Sequence, residues 1–490
     1  MQKEGKLKIL FVSAEVSPFA KTGGLADVAG SLPKFLAAMG NDVRVVMPKY
    51  KTIKSRMSYL TDFPIKMDWR NETCIVREGG ISFNDGTAEK ELPVYFIDNY
   101  HYFYRDGIYC FNDDGERFAF FCNAVLEMLL HINFRPDVIH CNDWHTGPIC
   151  MLLKEKYPQY GFYSNISTVY TIHNLQYQGH FSKDLLKLFG VGEEVFIPEK
   201  VEFYGLFNFM KAGLVYADVI NTVSEVYAKE IQTEQYGEKL EGLLRKRAGD
   251  LYGIVNGIDY SEINPATDTM IFKNYSIETL NLKKENKAAL QKEFGLPVKD
   301  VLLMGLVSRL TGQKGLNLIV EIADEMFKND VQFILLGTGD EYYESIFRNL
   351  KMRYPDKMGT YIGFNVALAQ RIYSGCDLFL MPSLFEPCGL GQIISMRYGT
   401  VPLVRATGGL AETVTDYDDD RENANGFVFR EFSPAKLLEA LQRAFSLYTG
   451  KPEEWRRLVI NGMTRDFSWN KSAGKYMELY YKAIVKNQSK

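Results

Sequence analysis

The sequence predicts an α/β protein made of two doubly wound, Rossmann-like domains. Two observations carry this. Short β-rich apolar runs alternate with helical ones along the chain, and the alternation occurs twice, on either side of a turn-rich stretch at Gly253–Asp268. Continuous apolar strands separated by helices imply parallel pairing, with both faces of the sheet covered.

In the first half, Leu7–Ser13 reads as a buried strand, Leu25–Met39 as a helix ending at Gly40, and Val43–Met47 as the next strand. No regular element is predicted between there and Phe118, where an insertion rich in aromatics (NYHYFYRDGIYCFND) occurs. Phe118–Ile132 then reads as a helix, Asp137–His140 as a strand, Gly147–Tyr157 as a helix and Thr168–His173 as a strand. The second half gives strands at Val301–Val307, Gln332–Leu336, Asp377–Met381 and Val401–Arg405. Helices are predicted there at Gly315–Lys328, Glu341–Tyr354, Val366–Ser374, Gln392–Tyr398 and Pro434–Leu447. Ligands of doubly wound sheets bind beyond the carboxyl ends of the strands, so a shared site is expected in a cleft between the domains.

Composition narrows the class. At 490 residues the chain is too long for one ordinary core, and 46% hydrophobic with 24% charged residues is a globular balance. A net charge of -4 argues against a large nucleic-acid footprint. The seven cysteines are odd in number, scattered and without CxxC spacing, so reduced thiols are expected rather than a zinc site or a disulfide framework. No apolar stretch approaches the roughly 20 residues that span a bilayer, and no signal-like segment precedes the first strand; a cytoplasmic protein without membrane contact is expected.

Chemistry concentrates in motifs at strand-to-helix junctions. Lys21-Thr22-Gly23-Gly24-Leu25-Ala26-Asp27-Val28 places two glycines and a lysine where free helix-start amides favour an anion, although a glycine turn with a solvated lysine would read the same. Ser308–Gly315 puts Arg309 and Lys314 on a loop before a helix, where two cations oppose the helix dipole unless an anion lies between them. Phe385-Glu386-Pro387-Cys388-Gly389-Leu390-Gly391 opens a further helix, with a carboxylate beside a second anion cradle. Thr407-Gly408-Gly409-Leu410-Ala411-Glu412-Thr413 follows the next strand. The histidine-bearing segments are His140-Cys141-Asn142-Asp143-Trp144-His145-Thr146-Gly147 and Thr171-Ile172-His173-Asn174-Leu175-Gln176-Tyr177-Gln178-Gly179.

In their order along the chain, these six segments resemble the signatures of bacterial glycogen synthases and plant starch synthases, from about Lys8 to the C-terminal tail. The resemblance implies a GT-B fold: an acceptor-side domain at 1–252, a nucleotide-sugar domain at 253–466, and a final helix near Trp469–Lys486 crossing back to the first domain. It implies retaining transfer of glucose from ADP-glucose to the non-reducing 4-hydroxyl of glycogen or a malto-oligosaccharide, with ADP released and neither metal nor cofactor required. His173 is implied beside the reacting sugar, Arg309 and Lys314 on the donor diphosphate, and Glu386 on the glucose. Lys21, Gly23, Gly24, Asp27, Cys388, Gly389, Leu390, Thr407 and Gly408 are expected to complete the donor site, although a thiol has no evident role in the transfer. Glu15, Asp143, His145 and Tyr177 are expected on the acceptor side, with a hydrogen-bonded structural role the alternative for His140 and His145. Phe364 stands where the family places an aromatic against adenine, with core packing the alternative. Many related retaining transferases carry a second Glu eight residues after the first; Ile394 occupies that position here, as in the glycogen and starch synthase branch. Asp416–Asp420 contains a DxD spelling and is read as a solvated loop, and Gly337-Thr338-Gly339-Asp340 as a turn.

Overall fold

The computed structural model describes residues 5–489; the outermost ends of the expected domains, residues 1–4 and 490, lie outside the described residues. In the first unit the strands are β1 (Lys8–Val12), β2 (Asp42–Pro48), β3 (Ser58–Met67), β4 (Arg70–Asn84), β5 (Glu89–Asp98), β6 (Val138–Asn142) and β7 (Ser167–Ile172). They are followed by β8 (His180–Phe181), β9 (Glu202–Phe203), β10 (Leu206–Asn208), β11 (Val219–Thr222) and β12 (Leu251–Gly253). The second unit holds β13 (Leu302–Val307), β14 (Val331–Gly337), β15 (Met358–Ile362), β16 (Leu378–Met381), β17 (Val401–Arg405) and β18 (Phe427–Phe429).

The first unit is built on a nine-stranded sheet in the order β12-β11-β7-β6-β1-β2-β5-β4-β3. Every pairing from β12 to β5 is parallel, as expected for buried apolar strands separated by helices. The edge formed by β3, β4 and β5 pairs antiparallel and corrects the prediction of no regular structure before Phe118. Its signal was alternation rather than a continuous apolar run. Phe63, Ile65 and Met67 are buried on β3, and Cys74 and Val76 on β4, with more exposed residues between them. One face is solvated, which parallel strands seldom allow. The aromatic insertion divides in the same way: Tyr102 and Phe103 are core residues, whereas Tyr100 and Tyr104 are exposed and stack on each other at 4.6 Å.

The second unit is a six-stranded, wholly parallel sheet in the order β15-β14-β13-β16-β17-β18. Counted from β13, this is the Rossmann order 3-2-1-4-5-6. Both units therefore have a switch point where the chain reverses direction across the sheet, between β1 and β6 in the first and between β13 and β16 in the second. The helix Gly24–Ala38 follows β1 within one residue of prediction, and the helices Glu341–Arg353, Val366–Gly375 and Gly391–Arg397 form close to where they were expected. The helices Phe209–Tyr216, Lys283–Glu293 and Pro452–Thr464 were not predicted.

By contacts, the chain divides into one unit running to Gly257 and resuming at Trp469, and a second unit at Ile258–Ser468. The boundaries follow hydrogen bonds: Ile254 N donates to Thr222 O at 2.9 Å, and Ile258 bridges Ser468. The terminal helix Trp469–Gln488 packs into the first unit through buried Trp469, Tyr476 and Tyr480. Tyr480 hydroxyl is 2.8 Å from His140 Nδ1, and His140 Nε2 is 2.6 Å from Thr171 Oγ1. His140 is thus a structural residue, buried and satisfied at both ring nitrogens.

Candidate functional site

In the first unit the motif residues leave the carboxyl ends of β1, β6 and β7. The loop after β1 is organised by Glu15. Its buried carboxylate accepts from Thr22 N, from Thr22 Oγ1 at 2.6 Å, from Gly23 N at 3.3 Å and from Tyr109 hydroxyl at 2.8 Å. Glu15, expected on the acceptor side, instead holds the Lys21–Gly24 turn in shape. A methyl group added at Gly23 or Gly24 would meet nothing within 4 Å, so internal packing does not demand glycine there, and the open backbone can be approached closely from outside. Lys21 Nζ pairs with Asp27 Oδ1 at 2.6 Å, both side chains partly exposed. Such surface pairs contribute little to stability, so this lysine is not committed to the fold.

After β6, Asp143 sits at φ +55°, and its Oδ1 accepts from His173 N at 2.7 Å. Burial pushes its carboxyl up to about 7, with the nearby Glu15 charge acting in the same direction and the amides of His173 and Asn174 opposing. Asp143 thus positions the His173 loop. His173 Nε2 lies 2.8 Å from Asn142 Oδ1, and the Asn142 amide is oriented by donation of its Nδ2 to Val12 O at 3.0 Å. The histidine nitrogen must therefore be the donor, which leaves Nδ1 as the acceptor of a neutral ring. Burial lowers the His173 pKa to about 3, so the ring stays neutral across the physiological range.

His145, expected on the acceptor side, is buried with no hydrogen-bond partner for either ring nitrogen among the described residues. Its ring stacks between Trp144, at 3.9 Å between centroids, and Tyr109, at 4.7 Å. Of the four expected acceptor-side residues, Tyr177 is the exposed one, at 51%.

In the second unit the loops after β13 and β16 meet at the switch point. Gly315 has φ +65°, and a Cβ there would lie 1.9 Å from Pro382 O, so only glycine lets the two loops touch. Across that contact Lys314 Nζ binds Glu386 Oε2 at 2.7 Å, and Ser383 Oγ donates to the same oxygen at 3.0 Å. Glu386 is 7% exposed, whereas Arg309 points into solvent on the same loop as Lys314. The Gly337–Asp340 turn braces that loop, since Leu310 N donates to Thr338 O at 2.9 Å and Asp340 N to Leu310 O at 2.8 Å. Phe364, beyond β15, is 76% exposed, which removes the core-packing alternative for it.

Of the amides at Thr407–Gly409, expected to meet phosphate, Thr407 N donates to Arg405 O at 2.9 Å and Gly409 N to Glu386 O at 3.1 Å. Gly408, at φ +45°, would bring a Cβ within 2.0 Å of Glu386 O. Gly408 and Gly409 therefore lie against the Glu386 carbonyl. Cys388 is buried, and its carbonyl accepts from Gln392 Nε2 at 3.1 Å. The Asp416–Asp420 run is not simply solvated either: Asp416 is buried and paired with Arg443 at 2.8 Å.

Sequence reasoning missed the residues that hold the site from outside the motifs. Arg405 is buried, with Nε donating to Ser383 O at 2.7 Å and Nη2 to Leu384 O, so it fixes the turn that precedes Glu386. Tyr109 holds Glu15 from an insertion with no readable motif. Only the arginine at the end of an apolar strand, where a charge must find buried partners, carried any signal.

Two Rossmann-like units, each with its polar loops at the switch point of its own sheet, belong to the class of GT-B glycosyltransferases. Residues 8–246 match the family model described as starch synthase catalytic domain, and residues 287–462 match that described as glycosyl transferases group 1. A glycogen synthase of Moorella thermoacetica is 56% identical over 483 residues, covering 99% of this chain and 98% of that protein. One of Desulforudis audaxviator is 56% identical over 486 residues, covering 98% and 97%. Among solved structures, the catalytic domain of starch synthase IV from Arabidopsis thaliana, bound to ADP and acarbose, superposes with a TM-score of 0.92 at 34% identity, covering 98% of this chain and all of that one. The chain belongs to the glycogen and starch synthase family.

Proposed function

We propose that this chain elongates α-1,4-glucans, moving glucose from ADP-glucose to the non-reducing 4-hydroxyl with retention of configuration and releasing ADP. The observation that carries the reading is the Lys314–Glu386 pair at the second unit's switch point, with Arg309 exposed beside it. A donor diphosphate is met there by two cations of different geometry, and the sugar by a carboxylate. The starch synthase whose structure binds ADP and acarbose supports the same pairing of nucleotide and glucan.

In this reading the bond from C1 to the leaving phosphate oxygen breaks as the acceptor 4-oxygen bonds C1 on the same face. The acceptor proton passes to the departing phosphate. Arg309 and Lys314 stabilise charge that grows on the diphosphate, with Lys314 held beforehand by the close loop contact at Gly315. Glu386 supports positive charge at C1. His173, neutral and oriented by Asn142, accepts a sugar hydroxyl through Nδ1. Lys21 and the open turn at Gly23–Gly24 add a further anion contact, and Phe364 offers an aromatic face to the adenine. With the diphosphate charge met by side chains, the reading requires no divalent ion.

Incubation with maltotriose and ADP-glucose, followed by proton NMR, tests the reading. Maltotetraose with a new α-1,4 linkage is expected; a β linkage would contradict retention, and no product would contradict the acceptor class.

A further inference from the structure

The segment that carries Glu386 runs on into the helix Gly391–Arg397, and two buried side chains beyond it hold its backbone. Its four consecutive carbonyls from Glu386 to Gly389 are all bound. Gly409 N donates to Glu386 O at 3.1 Å and to Pro387 O at 3.2 Å. Gln392 Nε2 donates to Cys388 O at 3.1 Å and to Gly389 O at 3.0 Å. Thr413, the last residue of the helix Gly408–Thr413, joins the two donors. Its Oγ1 gives its single proton to Gly409 O at 2.6 Å and accepts from Gln392 Nε2 at 3.1 Å. Gln392 and Thr413 are both buried.

These contacts fix which way the Gln392 amide faces. Turned over, its oxygen would lie against two carbonyls, and the Thr413 proton, already given to Gly409, could not reach it. Gln392 Oε1 is left with no hydrogen-bond partner among the described residues. Burying an unpaired amide oxygen is unfavourable, and an apolar side chain of the same length would fill the space without that penalty. The glutamine therefore stands there for its two N–H groups. We infer that Gln392, oriented by Thr413, is a positioning residue for Glu386. The inference rests on the function proposed above, in which Glu386 supports positive charge at C1. Lys314 and Ser383 hold the Glu386 carboxylate, whereas the bound carbonyls set where its backbone lies. Misplacing a group by about 1 Å at a reacting centre can lower a rate about 10²-fold. Arg309 and Lys314 meet the diphosphate from a different loop, so donor binding is expected to change less than turnover.

Steady-state kinetics with ADP-glucose and glycogen test this in two variants. Gln392→Met keeps the length of the side chain and loses its donors; Thr413→Val keeps the shape and loses the hydroxyl. Each is expected to lower kcat about tenfold or more, while the KM for ADP-glucose moves by less than about twofold. Thr413→Ser, which keeps the hydroxyl, is expected to recover most of what Thr413→Val loses. The double variant is expected to fall no further than the slower single one, because the two side chains act through one contact. A kcat within about threefold of wild type in Gln392→Met, or a raised KM in place of the lowered kcat, would overturn the assignment. Should that variant not fold, Thr413→Val decides by the same criterion. If the wild-type protein transfers no glucose, the function reading fails instead, and thermal unfolding decides the positioning separately. Lys314→Ala is then expected to lower the melting temperature less in a Thr413→Val background than in the wild type, because a displaced Glu386 has already left the pair. An equal drop in both backgrounds would overturn it.

Discussion

Lys314→Ala is expected to lower kcat by about 10²–10³, equivalent to about 2.7–4 kcal/mol of transition-state stabilisation, the range found when one preorganised charge-stabilising group is removed. The site also predicts a second consequence. Lys314 is the ionic partner of Glu386, whose side chain is only 9% exposed, so the substitution leaves a buried carboxylate with little besides the Ser383 hydroxyl. Breaking such a pair destabilises more than the pair itself contributes, because the surviving charge stays desolvated. The single variant is therefore expected to unfold cooperatively but at a lower temperature. Lys314→Ala combined with Glu386→Gln is expected to recover stability without recovering kcat. Thermal unfolding and steady-state rates on the wild type and these two variants separate the two roles. A kcat within about threefold of wild type in Lys314→Ala would remove the lysine from the chemistry.

The second large effect concerns Asp143 and pH. Its carboxyl titrates at about 7 in the folded chain, against about 3.9 in an unfolded one. A folded pKa above the unfolded value means that the folded state holds the proton more tightly. This contribution to stability is fully present below about pH 4 and is lost as pH rises to about 7. The shift corresponds to about 4 kcal/mol as an upper bound. Asp143→Asn keeps an acceptor oxygen for the His173 amide, and asparagine tolerates the positive φ. Denaturant unfolding of the two proteins from about pH 4 to about pH 8 is expected to show the wild type losing stability relative to the variant across that window. Parallel curves would place the Asp143 carboxyl in a solvated setting instead.

The switch-point loops were legible because each combines two independent signals, an apolar strand ending and a glycine-rich turn carrying a charged residue. Lys21, Arg309, Lys314 and Glu386 all stand in such places. What the motifs hid was which residues face outward. Glu15 stands just before the first of these segments and Asp143 lies within another, yet their carboxylates serve the loops themselves: Glu15 closes the Lys21 turn and Asp143 the His173 turn. A residue that shapes a loop and one that contacts a ligand look alike in a linear pattern; only hydrogen-bond partners distinguish them.

The edge strands β3 to β5 were lost for another reason. Their apolar residues alternate with Asp62, Lys66, Glu72 and Arg77, and the adjacent Gly79 and Gly80 break the run, so no continuous stretch announces a strand. Arg405 and Tyr109 act on residues 22 and 94 positions away, at Ser383 and Glu15, and neither spacing has a local signature.

Glucosyl transfer from ADP-glucose onto a glucan stands or falls on incorporation of labelled glucose into glycogen by the purified protein. ADP-glucose and UDP-glucose are to be compared side by side, each with EDTA present. Chelator-resistant incorporation with ADP-glucose preferred is expected. No incorporation from either donor would contradict the transfer itself.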